Sequence, residues 1–155
     1  NYEQANRIPI IISAPGQCIP GSATKQPMES VDIFPTLNEL AGIPPIKGPQ
    51  AIDGLSMVDV LKDPKKRIRG HAYHAYPRAK LGRAIRTERY RLVEWSKPGT
   101  STEYELYDYN NDSIESENLY VKLPKVANRL KTILKRSIFI LPLFPAKLLT
   151  TKECF

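Results

Sequence analysis

Residues 28–42 carry the clearest hydrophobic pattern in the chain, M-E-S-V-D-I-F-P-T-L-N-E-L-A-G. Apolar residues recur there at intervals of three and four, which predicts a helix with one apolar face over about residues 30–42. Ser30 or Asp32 can cap its start, because a short side-chain oxygen can accept a backbone N–H of the first turn. Gly42 stands where a helix commonly ends in the left-handed conformation, and the prolines that follow prevent continuation.

The segment before this helix has a different pattern. Arg7–Ser13, R-I-P-I-I-I-S, is continuously apolar rather than alternating. Such a run predicts a strand buried on both faces, as in the parallel sheet of an α/β protein. After a proline-rich loop, apolar residues over about 55–61 predict one or two further helical turns.

Beyond Gly70 the pattern changes to short alternating segments at about 71–76, 84–87, 90–95 and 105–109. Alternation with turn residues between segments predicts a small antiparallel sheet. Pro124 then opens an amphipathic helix that runs to about residue 136. We therefore divide the chain into an α/β part (1–62), an antiparallel-sheet subdomain with a terminal helix (63–136) and a tail (137–155).

Charge and composition narrow the possible partners without choosing one. The formal charge is +7, from 23 Lys and Arg against 16 Asp and Glu, which favours nucleic acid, sulfated glycans or anionic lipid. Cys18 and Cys154 have no metal-ligand spacing, and two cysteines cannot define a disulfide framework, so the redox compartment stays open. The most apolar run, 138–149, is shorter than the ~20 residues of a spanning helix and contains two prolines and a lysine, so we predict no membrane span.

Candidate binding chemistry is concentrated between residues 67 and 91, where basic side chains are dense. Most of them are expected to be solvated charges on edge strands, while one or two could enter an anionic site, since the guanidinium fork suits sulfate, phosphate and carboxylate. His74, Tyr76 and Arg78 share one strand face by parity and could form a wall for a sulfated sugar. A packed tyrosine with polar neighbours is the competing interpretation. His71 and His74 fall on opposite faces, so they cannot bind one metal together. The basic residues are Arg67, Arg69, Arg78, Lys80, Arg83, Arg86, Arg89 and Arg91.

Three motifs in order resemble the C-terminal third of a type I sulfatase. They are R-I-P-I-I-I-S-A-P-G at 7–16, V-D-I-F-P-T-L-N-E-L-A-G-I at 31–43 and D-G-L-S-M-x-x-x-L at 53–61. H-A-Y-H-A-Y-P-R at 71–78, L-G-R-A-I-R-T-E-R-Y-R-L-V-E-W at 81–95 and Y-E-L-Y-D-Y-N-N-D at 104–112 are similar to the iduronate-2-sulfatase type. The resemblance extends over about residues 1–135, and the tail departs from it.

This resemblance implies the C-terminal part of an alkaline-phosphatase-like α/β fold that ends in a small antiparallel sheet with a helix. It implies hydrolysis of sulfate esters with a formylglycine nucleophile and a calcium ion. The family's nucleophile motif is C-x-P-x-R, and Cys18 is followed by Ser22 in place of its arginine, so we interpret Cys18 as a loop cysteine. The catalytic and metal residues are then expected in a missing N-terminal portion. The fragment alone is expected to bind neither cofactor and to be inactive.

Only substrate-side residues carry over from the resemblance, and His74, Arg78 and Lys80 are the candidates. The expected partner is a sulfated polysaccharide or glycosaminoglycan, with neither nucleic acid nor membrane. The family implies a periplasmic, extracellular or lysosomal location, although no signal is visible in this sequence. Two alternatives stay open: a phosphodiesterase or phosphonate hydrolase of the same superfamily, and a non-catalytic basic module that binds polyanions.

Overall fold

The structure, a computed structural model, describes residues 2–45, 48–49, 51–77 and 79–138. Its helices and strands are α1 (Glu3–Asn6), a 3₁₀ turn (Ser30–Asp32), α2 (Ile33–Leu40), α3 (Val58–Lys62), β1 (Ala72–Pro77), β2 (Leu81–Arg86), β3 (Tyr90–Ser96), β4 (Glu103–Asp108) and α4 (Pro124–Ile138). The elements predicted after residue 54 are all present, with ends shifted by a few residues.

The four strands form one antiparallel sheet in the order β1-β2-β3-β4, so each strand pairs with its neighbour in sequence. The register aligns Tyr73, Ile85, Leu92 and Leu106 across the sheet. This arrangement confirms the antiparallel sheet that the alternating pattern predicts.

Helix α4 packs on one face of this sheet and closes the main core. Leu130 and Leu134 of the helix lie against Ile85, Leu92 and Leu106, and all five are fully buried. The spacing of four residues places Leu130 and Leu134 on one face of the helix. The register aligns Ile85, Leu92 and Leu106 on one face of the sheet, so the two apolar faces pack together. We call this face of the sheet the helix face.

The predicted helix over residues 30–42 is confirmed, as a 3₁₀ turn followed by α2. Its start differs from the prediction, because Glu29 is the first cap and its backbone N–H donates to Asp32 Oδ2 at 2.9 Å. Gly42 adopts φ +67°, as predicted. The Ile43 N–H donates to the Asn38 carbonyl at 2.9 Å, which satisfies a carbonyl that the helix end leaves open.

The D-G-L-S segment at 53–56 is held against the start of α2. The Leu55 N–H donates to Asp32 Oδ1 at 2.8 Å, and the Met57 N–H donates to Thr36 Oγ1 at 2.9 Å. Asp32 and Thr36 are both buried, so these bonds replace water that the side chains have lost. Gly54 lies so close to the backbone of residue 31 that a methyl group has no room there.

The prediction of a buried strand at Arg7–Ser13 is wrong for this structure. Residues 7–13 carry no strand, and Ile8 and Ile11 are 74% and 91% exposed. A strand needs a neighbour to pair its backbone N–H and C=O groups, and within the described part of the chain no strand lies beside this segment. The apolar side chains of the segment are therefore left in solvent.

The division into 1–62, 63–136 and 137–155 stays a prediction, and residues 139–155 of the predicted tail lie outside the described residues. None of the helices in the described ranges is both long and apolar enough to cross a membrane.

Candidate functional site

The sheet face opposite α4 carries the first candidate residue, His74. Strand parity places His74 and Tyr76 of β1 on this face together with Arg86, Arg91 and Trp95. Residues 2–6 lie across part of it, and we call it the N-terminal face. The side chain of Tyr2 packs edge-on against Tyr107 at a ring distance of 6.4 Å.

His74 is half-buried in the middle of β1, opposite Ala84 of β2. Burial is the largest cause that lowers the pKa of its imidazole to about 4, and the positive charge of Arg91 contributes in the same direction. The ring is therefore neutral at pH 7, with one nitrogen as a hydrogen-bond donor and the other as an acceptor. A neutral imidazole can bind a sugar hydroxyl or donate to a sulfate oxygen, but it adds no charge.

Tyr76 and Trp95 lie on the same face, on either side of Gly82 in the register. Tyr76 is 43% exposed, whereas Trp95 is partly buried and donates from Nε1 to Glu105 Oε1 at 3.1 Å. The two aromatic residues flank a position that has no side chain. Strand parity predicts from the sequence that Tyr76 and His74 share a face. The position of Trp95 across β2 from Tyr76 follows only from the pairing register of β1, β2 and β3.

A second candidate, Lys80, lies between the end of β1 and the start of β2. The Lys80 ammonium is paired with Glu103 Oε1 of β4 at 2.6 Å and is 41% exposed. It lies at the end of the hairpin, away from the middle of the strand where His74 is. Arg78 lies outside the described residues.

Most of the other arginines of this region are paired inside the fold, which corrects the expectation of solvated charges on edge strands. Arg69 binds Asp32 and Glu29, Arg83 pairs with Glu94, and Arg89 pairs with Asp108. Arg91 is only 1% exposed. The spacing of the arginines in the sequence does not reveal these ion pairs, because the partner carboxylates lie on other segments of the chain.

The densest of these ionic clusters fixes residues 2–6 to the sheet. The Glu3 carboxylate accepts bonds from Arg86 Nε and Nη2, both at 3.0 Å, and from Arg91 Nη2 at 2.6 Å. Burial opposes ionisation of Glu3, but the two guanidinium groups outweigh it and lower its pKa. The backbone N–H of Glu3 donates to Glu115 Oε2 at 2.9 Å, and the Tyr109 hydroxyl donates to Glu115 Oε1 at 2.5 Å. This cluster is a structural clamp, because its charges satisfy one another.

The described residues do not offer a calcium site. Nowhere among them do three or more His, Cys, Asp or Glu side chains come together to hold a metal ion. Cys18 is a free, partly buried thiol in a loop. The Ser22 hydroxyl donates to the Ile19 carbonyl at 2.8 Å, so the position where the nucleophile motif has arginine is occupied by a turn contact.

Comparison with known proteins places this geometry in a family. Residues 1–139 match the family model described as N-sulphoglucosamine sulphohydrolase, C-terminal. An N-acetylglucosamine-6-O-sulfatase of Bacteroides thetaiotaomicron is 29% identical over 78% of this chain and 22% of its own length. Arylsulfatase K of Bos taurus is 28% identical over 88% of this chain and 26% of its own. The chain thus spans about a quarter of the length of these relatives.

A solved structure also has a fold similar to that of this chain. A protein in complex with its substrate D-glucosamine-2-N,6-O-disulfate has a TM-score of 0.57 and 26% identity, over 68% of this chain and 23% of its own. The predicted fold class is therefore confirmed: the chain has the C-terminal fold of alkaline-phosphatase-like sulfatases, with a small antiparallel sheet and a helix.

Proposed function

We infer the function from one premise, that the chain belongs to the sulfatases, in the family described as N-sulphoglucosamine sulphohydrolase, C-terminal. We propose that it is the C-terminal portion of an enzyme that hydrolyses sulfate esters of a sulfated polysaccharide or glycosaminoglycan. The longer protein that would contain it is called the parent here. In this proposal the parent's nucleophile and metal ligands lie outside these 155 residues, and the chain alone is inactive.

The observation that carries the proposal is the apolar surface that the described residues leave open. The outer side of α2 exposes Phe34 and Leu37 at 48% and 55%, and the unpaired segment 7–13 exposes Ile8 and Ile11. Exposed apolar side chains on both segments are of the kind that mark an interface in proteins. A catalytic α/β domain would cover both segments and give 7–13 the neighbouring strand that its sequence pattern predicts.

The substrate class rests on the N-terminal face. We propose that neutral His74 hydrogen-bonds the sugar, and that Arg78 and Lys80 contact its sulfate or carboxylate groups. Lys80 would have to exchange its bond with Glu103 for the ligand. The motifs at 71–78 and 81–95 support an iduronate-2-sulfatase-like parent. Two of the proteins named above, the N-acetylglucosamine-6-O-sulfatase and the protein in complex with its substrate D-glucosamine-2-N,6-O-disulfate, are instead described with glucosamine derivatives.

Formylglycine and calcium are proposed for the parent only. This assignment comes from the family resemblance and stays a prediction. A periplasmic, extracellular or lysosomal location is proposed from the family alone.

A substrate panel tests the proposal. The parent, expressed from its complete gene in a host that forms formylglycine, is given 2-O-sulfated iduronate and 6-O-sulfated glucosamine disaccharides, a phosphodiester and a phosphonate monoester. We expect sulfate release from a disaccharide, with the iduronate substrate preferred. Preference for glucosamine would overturn the iduronate-2-sulfatase type but not the sulfatase. Preference for the phosphodiester or phosphonate would favour the alternative hydrolase.

The site residues are tested in the same assay. His74→Ala is expected to raise KM more than it lowers kcat, because the imidazole is proposed to bind substrate rather than to take part in bond cleavage. His71→Ala, which alters the histidine just outside β1, is the matched control. Equal effects of both substitutions would remove the special role assigned to His74.

A further inference from the structure

A second polar surface lies between the loop 23–26 and the turn 64–67. It is a cleft of about 340 Å³. We call it the basic cleft, because four of its lining residues are cationic and only Glu88 is acidic. The cationic residues are Lys25, Lys65, Lys66 and Arg67.

The charges of the cleft are only partly neutralised. Arg67 pairs with Glu88, and Lys66 Nζ lies 2.7 Å from Asp59 Oδ2. Lys25 and Lys65 are exposed, and neither has a carboxylate partner among the residues that the structure describes. Two cations thus face one small volume without counter-charge, which favours an anionic ligand.

The two walls of the cleft are fixed relative to each other. Gln26 Oε1 accepts the backbone N–H groups of Ile68 and Arg69 at 2.8 and 3.2 Å, which ties the loop to the turn. The Lys65 N–H donates to Asp63 Oδ1 at 3.0 Å and shapes the turn itself. Because both walls are pre-formed, binding would order only the lysine side chains.

The basic cleft carries none of the features that suit nucleic acid beyond its charge. No aromatic residue is among those that line it, whereas proteins that bind single strands stack bases on aromatic rings. Its size suits one or two sulfate groups rather than the long charged track that a duplex requires. Lysine ammonium groups bind sulfate as point charges without demanding one geometry.

We propose that the basic cleft is an auxiliary binding site for sulfate groups of the polymeric substrate, separate from the residues of β1. This inference rests on the proposed function, because the polymer is the substrate class of that proposal. The cleft would hold a sulfated chain near the enzyme between cleavage events and would not bind a short substrate that reaches only the active site.

The test measures heparin binding by the full 155-residue chain with the double variant Lys25→Glu/Lys65→Glu. The matched control is Lys97→Glu/Lys125→Glu, which makes the same change in net charge at two other exposed lysines without a carboxylate partner in the described part of the chain. We expect the cleft variant to bind heparin about 10-fold to 100-fold more weakly at 0.1 M salt. Its affinity should also depend less steeply on salt, because a complex with fewer charged contacts releases fewer counterions. The control is expected to stay within about threefold of the unmodified chain on the same grounds.

Equal losses in both variants, or no loss in either, would overturn the proposal. Tighter cleft-dependent binding of single-stranded DNA than of heparin would overturn the choice of a sulfated glycan, and unchanged binding of desulfated heparin would overturn the role of sulfate. In the parent, the cleft variant should keep its rate on a disaccharide and lose rate on the polymer. If the unmodified parent releases no sulfate from any substrate, the proposed function fails instead, and the binding result stands apart from it.

Discussion

Gly54→Ala is the substitution whose effect the structure defines most sharply. A Cβ at residue 54 would lie 1.9 Å from the Val31 carbonyl oxygen, 2.6 Å from the Val31 carbonyl carbon and 3.1 Å from the Asp32 nitrogen. All three are backbone atoms, so no side chain can rotate away. An ordinary carbon–oxygen contact is about 3.3 Å, so the two backbones would have to separate by on the order of 1 Å.

That separation acts on two neighbouring hydrogen bonds. The Leu55 N–H bond to the Asp32 carboxylate is 2.8 Å long, and the Met57 N–H bond to Thr36 Oγ1 is 2.9 Å long. A bond to an ionised group contributes about 1.5–3 kcal/mol, and a neutral one about 0.5–1.5 kcal/mol. We therefore expect Gly54→Ala to lower the free energy of unfolding by about 2–4 kcal/mol.

Urea unfolding followed by circular dichroism measures this change, and the midpoint should fall without a change in slope. Gly70→Ala is the matched control, because a Cβ at Gly70 meets nothing within 4 Å and the residue has no left-handed φ. Its free energy of unfolding should stay within about 1 kcal/mol of the unmodified chain. If both variants unfold alike, the close approach of residues 54 and 31 does not determine the stability of this segment.

Three further predictions follow from the clamp, the histidine and the open apolar surface. Glu3→Gln should lower the free energy of unfolding by about 2 kcal/mol in urea titrations, because buried Arg91 then loses the carboxylate of Glu3 as an ion-pair partner; no change would show that the clamp contributes no stability. His74→Gln should flatten the loss of stability between pH 6.5 and about 4, since the folded chain resists the proton that the unfolded chain accepts in that window; the same loss of stability in both proteins across this window would contradict the lowered pKa of His74. Leu37→Ser should change the free energy of unfolding of the isolated chain by less than about 0.5 kcal/mol but lower that of the parent by more than about 1 kcal/mol, as measured by calorimetry of both proteins. Equal effects in the two proteins would argue against a domain that covers Leu37.

Local sequence signals predicted the elements whose stabilising contacts are close in sequence or strictly periodic. The alternating segments gave the antiparallel sheet, and the left-handed Gly42 ended α2 where its position indicated. These features depend on spacing, which a single sequence displays directly.

Features that depend on distant partners could not be predicted in the same way. The capping network of Asp32 uses Leu55 and Arg69, and the clamp joins Glu3 to Arg91 across most of the chain. The strand predicted at 7–13 failed for the same reason, since the pattern reports how a segment could be buried but not whether a neighbour is present. Dense positive charge near residues 67–91 indicated a surface, whereas the fold pairs much of it with buried carboxylates.

The candidate site shows the same division. Parity placed His74 and Tyr76 on one face, but the lowered pKa of His74 arises from burial and from Arg91, which the strand pattern does not reveal. The basic cleft joins loops that are far apart in sequence, so the sequence shows its individual lysines but not that they line one cleft. The roles of His74, Arg78 and Lys80 in binding substrate stay predictions.

The central claim, that this chain is the C-terminal portion of a sulfatase, is tested most directly by the sulfate released from sulfated disaccharides. Ion chromatography would follow the parent and the isolated 155-residue chain under identical conditions. The parent is expected to release sulfate at many times the background rate, and the isolated chain is expected to release none above it. Turnover by the isolated chain, or a parent that cleaves phosphodiesters or phosphonates but no sulfate ester, would contradict the claim.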